Sequence, residues 1–110
     1  MKNFRRSGNS IPVAAPAGGV VAGDGVLVGS LFGIAAADAA EGATVEIALI
    51  GVFEVKKTSA QAWTIGAKVY WDAANKVATT TASGNSLIGV AVEQAANPSA
   101  TGLVRLNGSF

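Results

Sequence analysis

The sequence predicts a mainly β protein: a single small β-barrel or sandwich-like domain with a weak internal duplication and an extended N-terminal arm. Three observations predict this class. Apolar residues alternate along the middle of the chain, turn signals rich in Gly and Asn recur at short intervals, and one six-residue segment is nearly repeated. At 110 residues the chain is long enough for one domain with one modest core.

The first 19 residues predict an arm. They combine basic side chains, two prolines and several Gly and Ser residues around the short apolar run IPVAAPA, and this composition disfavours a helix. The alternative is a terminus that is merely frayed. We therefore divide the chain into an extended N-terminal arm at residues 1–19 and a β-rich domain at residues 20–110.

The strongest strand signal is TVEIALIGVFEVKK at residues 44–57. Its odd positions are apolar and predict a core face: Val45, Ile47, Leu49, Phe53 and Val55. The even face is polar at both ends but apolar at Ile50 and Val52, which suggests contact with another subunit or layer. Gly51 would bend so long a segment, so we expect two shorter strands.

Five further strands are predicted, at residues 26–34, 68–72, 76–81, 87–94 and 103–107. Turn signals at residues 23–25, 72–75 and 83–85 separate some of them. The segment AAADAAE at residues 35–41 has helix-favouring residues, but it is too short for more than a turn or two.

The repeated segment is SLFGIA at residues 30–35 and SLIGVA at residues 86–91. Each copy is followed by an Ala-rich linker and a second strand, and the second copy also carries an inserted KVATTT hairpin. We interpret this as two β-rich halves related by pseudo-symmetry, with Gly33 and Gly89 where the halves approach most closely or where a strand coils. The alternative is coincidence in a sequence rich in Ala and Gly.

Composition narrows the class of partner. Half of the residues are apolar and 14% are charged, which predicts oligomerisation or docking on another protein unless small Ala and Gly residues inflate the count. The net charge of +1 argues against nucleic acid as a partner. The uncharged stretch at residues 25–37 is shorter than the roughly 20 residues of a membrane span, so we expect a soluble chain without a membrane partner. Pro12 and Pro16 also argue against a secretory leader.

The residue types also argue against catalysis. The sequence contains no His and no Cys, which removes the commonest general base, the thiol nucleophile and most transition-metal ligands. No Gly-Lys dipeptide is present, so a phosphate-binding P-loop is excluded. We expect no enzyme activity, no cofactor and no metal site.

Several segments together resemble one known family. They are GDGVLVGSLFGIA, EIALIGVFEV, AWTIGAKVYWD, NSLIGVAVEQA and the terminal VRLNGSF, and the resemblance runs from about Asn9 to Phe110. The chain resembles the tailed-phage capsid decoration, or head cement, proteins, which are often mislabelled as predicted RecA/RadA-type recombinases. The missing P-loop contradicts that label.

The resemblance implies a role in the virion. It implies a small β-rich protein, a homotrimer, on the outer surface of the capsid at threefold and quasi-threefold positions. There it would clamp neighbouring copies of the major capsid protein after the shell expands. The composition agrees with this role. Binding through apolar surface, and through an arm that adds a strand to a neighbour's sheet, needs no reactive side chains.

Two groups of residues are candidates for these contacts. The first is a capsid-contacting arm with Phe4, Arg5, Arg6, Ile11, Pro12 and Val13. The second is a subunit interface with Ile50, Val52 and Trp71. The competing interpretation is a β-barrel module that binds surface glycans by stacking them on Trp63, Tyr70 and Trp71. Tyr70 and Trp71 should point to opposite faces of a strand, one to the core and one outward.

Overall fold

The computed structural model describes residues 8–106, and in that range it contains nine strands and no helix. The strands are β1 (Ser10–Ala14), β2 (Gly25–Val28), β3 (Leu31–Ala35), β4 (Thr44–Ala48), β5 (Val52–Lys56), β6 (Lys68–Asp72), β7 (Val77–Thr79), β8 (Ser86–Ala91) and β9 (Thr101–Leu106). The predicted mainly β class is confirmed. Within the same residues, no helix is long and apolar enough to cross a membrane.

The strands form two antiparallel sheets. The first has four strands in the order β1-β4-β3-β2, and the second has five in the order β5-β9-β8-β6-β7. Lys57, directly after β5, makes a parallel bridge to Ala78 of β7. Because β5 and β7 are the two edges of the second sheet, this bridge curls that sheet into a half-barrel.

The two sheets repeat one topology. The order β1-β4-β3-β2 corresponds to β5-β9-β8-β6, and β7 is an additional strand on the outer side of β6. The register agrees as well, since Ala35 lies opposite Ile47 in the first sheet and Ala91 lies opposite Val104 in the second. SLFGIA and SLIGVA therefore contain β3 and β8, two equivalent central strands.

Backbone hydrogen bonds outside the strands repeat too. Four backbone N–H groups of the first half donate to carbonyl oxygens, and the equivalent N–H groups of the second half donate to the equivalent carbonyls. In the first half the bonds are Gly23 to Ala35 (2.8 Å), Val20 to Ala39 (2.9 Å), Ala15 to Ala43 (2.8 Å) and Leu49 to Asn9 (2.8 Å). In the same order, the bonds of the second half are Gly66 to Ala91 (2.8 Å), Trp63 to Ala95 (2.9 Å), Lys57 to Ala100 (2.9 Å) and Leu106 to Gly51 (3.0 Å). This agreement extends well beyond the repeated hexamer. It confirms the duplication and disfavours coincidence.

Gly33 and Gly89 lie at equivalent positions, where a side chain would clash with the backbone of the neighbouring strand. A Cβ at Gly33 would lie 2.8 Å from the carbonyl oxygen of Ala48, and a Cβ at Gly89 would overlap the carbonyl oxygen of Arg105. Ala48 and Arg105 occupy equivalent positions in β4 and β9. Of the two predicted roles, close approach of the halves does not describe these contacts, because each glycine allows close approach of two strands within its own half. The other role, at a point where a strand coils, stays a prediction.

Glycines divide two of the segments that the sequence analysis considered as strands. Residues 26–34 form a hairpin and not the single predicted strand, because Gly29 (φ 59°) and Ser30 make the two-residue turn between β2 and β3. Residues 44–57 divide into β4 and β5 as predicted. Gly51 lies between them with φ 122°, where the chain passes from the first sheet to the second.

The core has two parts that meet between the sheets. Val26, Val45 and Ile47 are buried in the first part, which lies within the first sheet. Phe32 and Ile34 of β3 belong to the second part, which is built mainly from the second sheet. The ring of Phe32 lies 5.0 Å from that of Trp71, so this pair joins the two halves.

Residues 10–14, assigned to the arm from the sequence, form β1 of the first sheet. Ile11 lies opposite Ile47 and Val13 opposite Val45, and both side chains pack against the core of that sheet. The prolines and glycines that suggested an arm are compatible with an edge strand, where Pro12 requires no ladder hydrogen bond. Residues 10–14 of the predicted arm are therefore part of the folded domain.

Candidate interaction surfaces

The acidic residues near the first sheet order a loop. Among the described residues no group of three or more Asp or Glu side chains could hold a metal ion. Three carboxylates instead accept backbone N–H groups of residues 18–22: Glu41 from Gly18 (3.1 Å), Asp24 from Val21 (3.0 Å) and Asp38 from Ala22 (2.9 Å). These hydrogen bonds explain the three carboxylates as groups that hold the loop at residues 18–22 in place.

Asp72 has a similar role in the hairpin between β6 and β7. Its carboxylate accepts the side-chain N–H of Asn75 (2.8 Å) and the backbone N–H groups of Ala74 (3.1 Å) and Asn75 (3.2 Å). Hydrogen bonds from Asn75, with a further one from Ala74, lower the pKa of Asp72. The signal Asp-Ala-Ala-Asn was correctly interpreted as a turn.

Among residues 8–106, Lys57 is the one buried cationic side chain. Its side chain is 3% exposed, and its ammonium donates to the carbonyl oxygen of Thr58 (2.8 Å), with longer bonds to Ser59 and Ser99 (both 3.4 Å). The ammonium also lies 5.9 Å from the ring centroid of Trp63. Burial lowers the pKa of Lys57. The sequence analysis missed this residue, although continuing the odd-position alternation from Val55 places it on the core face.

The two tryptophans cannot form the glycan platform considered from the sequence. Trp63 is 1% exposed and Trp71 is 5% exposed. Gly102 and Gly25 make room for them, since a Cβ at either position would contact the ring. Trp71 therefore takes the core position on β6 and Tyr70 is half-buried, so Trp71 offers almost no surface to a second subunit.

Ile50 and Val52 are exposed, on either side of Gly51 at the passage between the sheets. Their side chains are 44% and 53% exposed. Three other large apolar residues that the sequence analysis did not single out are also exposed: Val21 (56%), Val28 (46%) and Ile65 (73%). No sequence signal identifies them, because buried apolar residues such as Phe32 and Ile34 also lie beside a glycine.

The predicted arm residues fall into two groups. Phe4, Arg5 and Arg6 lie outside the described residues. Ile11, Pro12 and Val13 are half-buried on β1, an edge strand of the first sheet. The carbonyl of Asn9 faces β4, so by alternation the backbone groups of Pro12 face outward, where proline has no N–H to donate.

Comparison with known proteins gave one match. A family model described as phage cement protein matches residues 5–106, which include both halves of the duplication. No curated protein and no solved structure matches the chain.

Proposed function

Because the chain belongs to the phage cement protein family, we propose that it binds the outside of the expanded phage head at threefold and quasi-threefold positions, clamping neighbouring major capsid proteins. Membership of this family makes it a virion-associated structural protein with a capsid-stabilising role. The observation that carries the finer proposal is the family match over residues 5–106, which covers the whole strand framework.

Self-association is the first part of the proposal. We propose a homotrimer packed through Ile50 and Val52, and the exposure of both side chains supports this assignment. Trp71 is left out because it is buried. Burying exposed apolar side chains between copies is the favourable term in such an assembly.

The N-terminal residues provide the second part. Phe4, Arg5 and Arg6 would contact the capsid, beside the edge strand that contains Ile11, Pro12 and Val13. Three copies would present three such segments, so contacts that are weak individually would act together at high effective concentration. Preferential binding to the expanded shell would favour expansion by mass action.

A binding assay with heads assembled without the protein tests this proposal. We expect the full chain to bind expanded heads to saturation, to be absent from unexpanded heads, and to raise the temperature at which the heads release DNA. Image reconstruction should place it at threefold positions. Equal heat resistance of bare and decorated heads would contradict the role.

A deletion of residues 2–7 isolates the contribution of the N-terminal segment. It leaves β1 in place, whereas a longer deletion through residue 13 would remove most of a strand that packs on the first core. We expect the shorter deletion to fold and to lose head binding. Unchanged binding would remove Phe4, Arg5 and Arg6 from the proposed contact.

A further inference from the structure

The first sheet has an open edge at the place where the second sheet has an additional strand. In the second half β7 covers β6, pairing Thr79 with Tyr70 and Val77 with Asp72. β2 occupies the position of β6 in the first half, and among the described residues only β3 pairs with it. The duplication therefore leaves β2 with an outer edge that has no equivalent of β7.

Alternate residues of β2 carry the open backbone groups. The N–H of Ala35 donates to the carbonyl of Asp24 (2.8 Å), so this carbonyl faces β3. Hydrogen-bonding direction alternates along an antiparallel strand, so the backbone groups of Gly25 and Leu27 face away from β3. These two residues offer two N–H donors and two carbonyl acceptors to an incoming strand.

A groove of about 240 Å³ runs beside this edge, between the two sheets. Residues 23–27 line one side, and Val55 and Trp71 of the second sheet line the other. A strand added to β2 could therefore lie along the groove and hydrogen bond with Gly25 and Leu27.

The charges at the groove indicate what kind of strand fits. Lys56 and Lys76 line it, and both are exposed. Asp24 also lines it, with its carboxylate accepting the backbone N–H of Val21 (3.0 Å), so the two lysines leave an excess of one positive charge at the groove. An acidic segment would be attracted by the two lysines, whereas the basic residues 2–7 of a second copy would be repelled.

We propose that the outer edge of β2 binds an extended acidic segment of a shell subunit by strand addition, with carboxylates of that segment placed at Lys56 and Lys76. This inference rests on the proposed function, because it names a surface by which the chain would hold the shell.

The test compares charge reversals on expanded heads assembled without the protein. The double variant Lys56→Glu, Lys76→Glu reverses both charges at the groove, and Lys68→Glu reverses an exposed charge on β6 outside it. We expect the double variant to weaken head binding by about tenfold or more and Lys68→Glu to change it by less than about twofold. Affinity of the unchanged protein should also fall more steeply with salt than that of the double variant.

Hydrogen exchange gives a readout that does not depend on charge. In the free protein the amides of Gly25 and Leu27 should exchange much faster than those of Val26 and Val28, which face β3. On heads all four should be protected, because an added strand would occupy the first two.

Each outcome separates the two proposals. If the unchanged protein does not bind heads, the proposed function fails and this inference fails with it. If it binds while the double variant binds equally well, or while Gly25 and Leu27 still exchange fast, only the β2 proposal is overturned. Protection of these amides in the free protein that increases with its concentration would show that a second copy fills the edge, and would also overturn it.

Discussion

Lys57 shows how one residue can differ between two equivalent positions. The first half has Ala15 where the second has Lys57, since Ala15 N–H donates to Ala43 and Lys57 N–H to Ala100 in matching bonds. Both side chains are buried, at 5% and 3% exposed. The lysine uses its length to reach the carbonyls of the following loop, so it connects β5 to residues 58–59 and 99.

Replacing Lys57 by Met should destabilise the domain by about 1–3 kcal/mol, because the partly buried hydrogen bonds from its ammonium to the carbonyls of residues 58, 59 and 99 are lost. Lys56→Met is the matched control, since the neighbouring lysine is exposed, and should change stability by less than about 0.5 kcal/mol. Chemical denaturation of both variants measures this difference. Equal stabilities would mean that the ammonium bonds contribute nothing.

The lowered pKa of Lys57 predicts that the stability of the domain depends on pH. The pKa of Lys57 is lowered in the folded chain from 10.5, so between the lowered value and 10.5 the unfolded chain binds more protons than the folded one. The free energy of unfolding should therefore rise with pH across this window in the unchanged protein, relative to Lys57→Met. A pH-independent difference between the two proteins would contradict the assignment.

Gly89 and Gly33 permit a third prediction at this scale. Gly89→Ala should cost more stability than Gly33→Ala, because its Cβ would overlap a backbone carbonyl, whereas at Gly33 the nearest atoms are 2.8 and 2.9 Å away. We expect both to be destabilised by more than about 1 kcal/mol. Gly8→Ala, where nothing lies within 4 Å, is the control for thermal denaturation. The reverse order would mean that β8 and β9 can separate more easily than β3 and β4.

At the scale of elements, β1 and β5 are equivalent edge strands whose outer edges differ in what they contact. Both lie beside a central strand, β4 or β9, and each is followed directly by a buried residue, Ala15 or Lys57. The end of β5 is joined to β7 through Lys57 and Ala78, while β1 has Pro12 on its outer side. Proline removes a donor from this edge, which limits unwanted strand pairing there.

Deleting residues 2–14 should destabilise the first sheet far more than deleting residues 2–7. The longer deletion exposes Val45 and Ile47, which β1 faces, and removes the half-buried Ile11 and Val13. Circular dichroism during thermal unfolding measures the difference. If both truncations melt at the same temperature, β1 does not contribute to the stability of the domain.

At the scale of the whole molecule, the duplication gives one chain two similar sheets with different surroundings. The additional β7 and the Lys57 bridge close the second sheet into a half-barrel, whereas no strand among residues 8–106 covers the outer edge of β2 in the first sheet. Phe32 and Trp71 hold the two together. Two sheets joined in this way, with exposed apolar side chains, agree with the proposed contacts to other subunits.

The proposed trimer predicts the effect of charge at its interface. Ile50→Asp with Val52→Asp should convert trimers to monomers, because each copy would then place charges in a contact without partners. Ile65→Asp is the control, since Ile65 is the most exposed of the large apolar residues and lies outside the proposed interface. Light scattering coupled to size exclusion measures the mass. A trimer that survives the double substitution would move the interface elsewhere.

The sequence by itself determined the β class, the division at Gly51 and the repeated succession of strand, linker and strand along the chain. These follow from local alternation, from the backbone freedom of glycine and from a repeated pattern, all of which are present in the linear chain. Only the tertiary structure decided that Gly33 and Gly89 serve their own halves, that Trp71 is buried, that residues 10–14 join a sheet and that β2 is left open. Each of these depends on which strands become neighbours, and that is determined by packing between residues far apart in the chain.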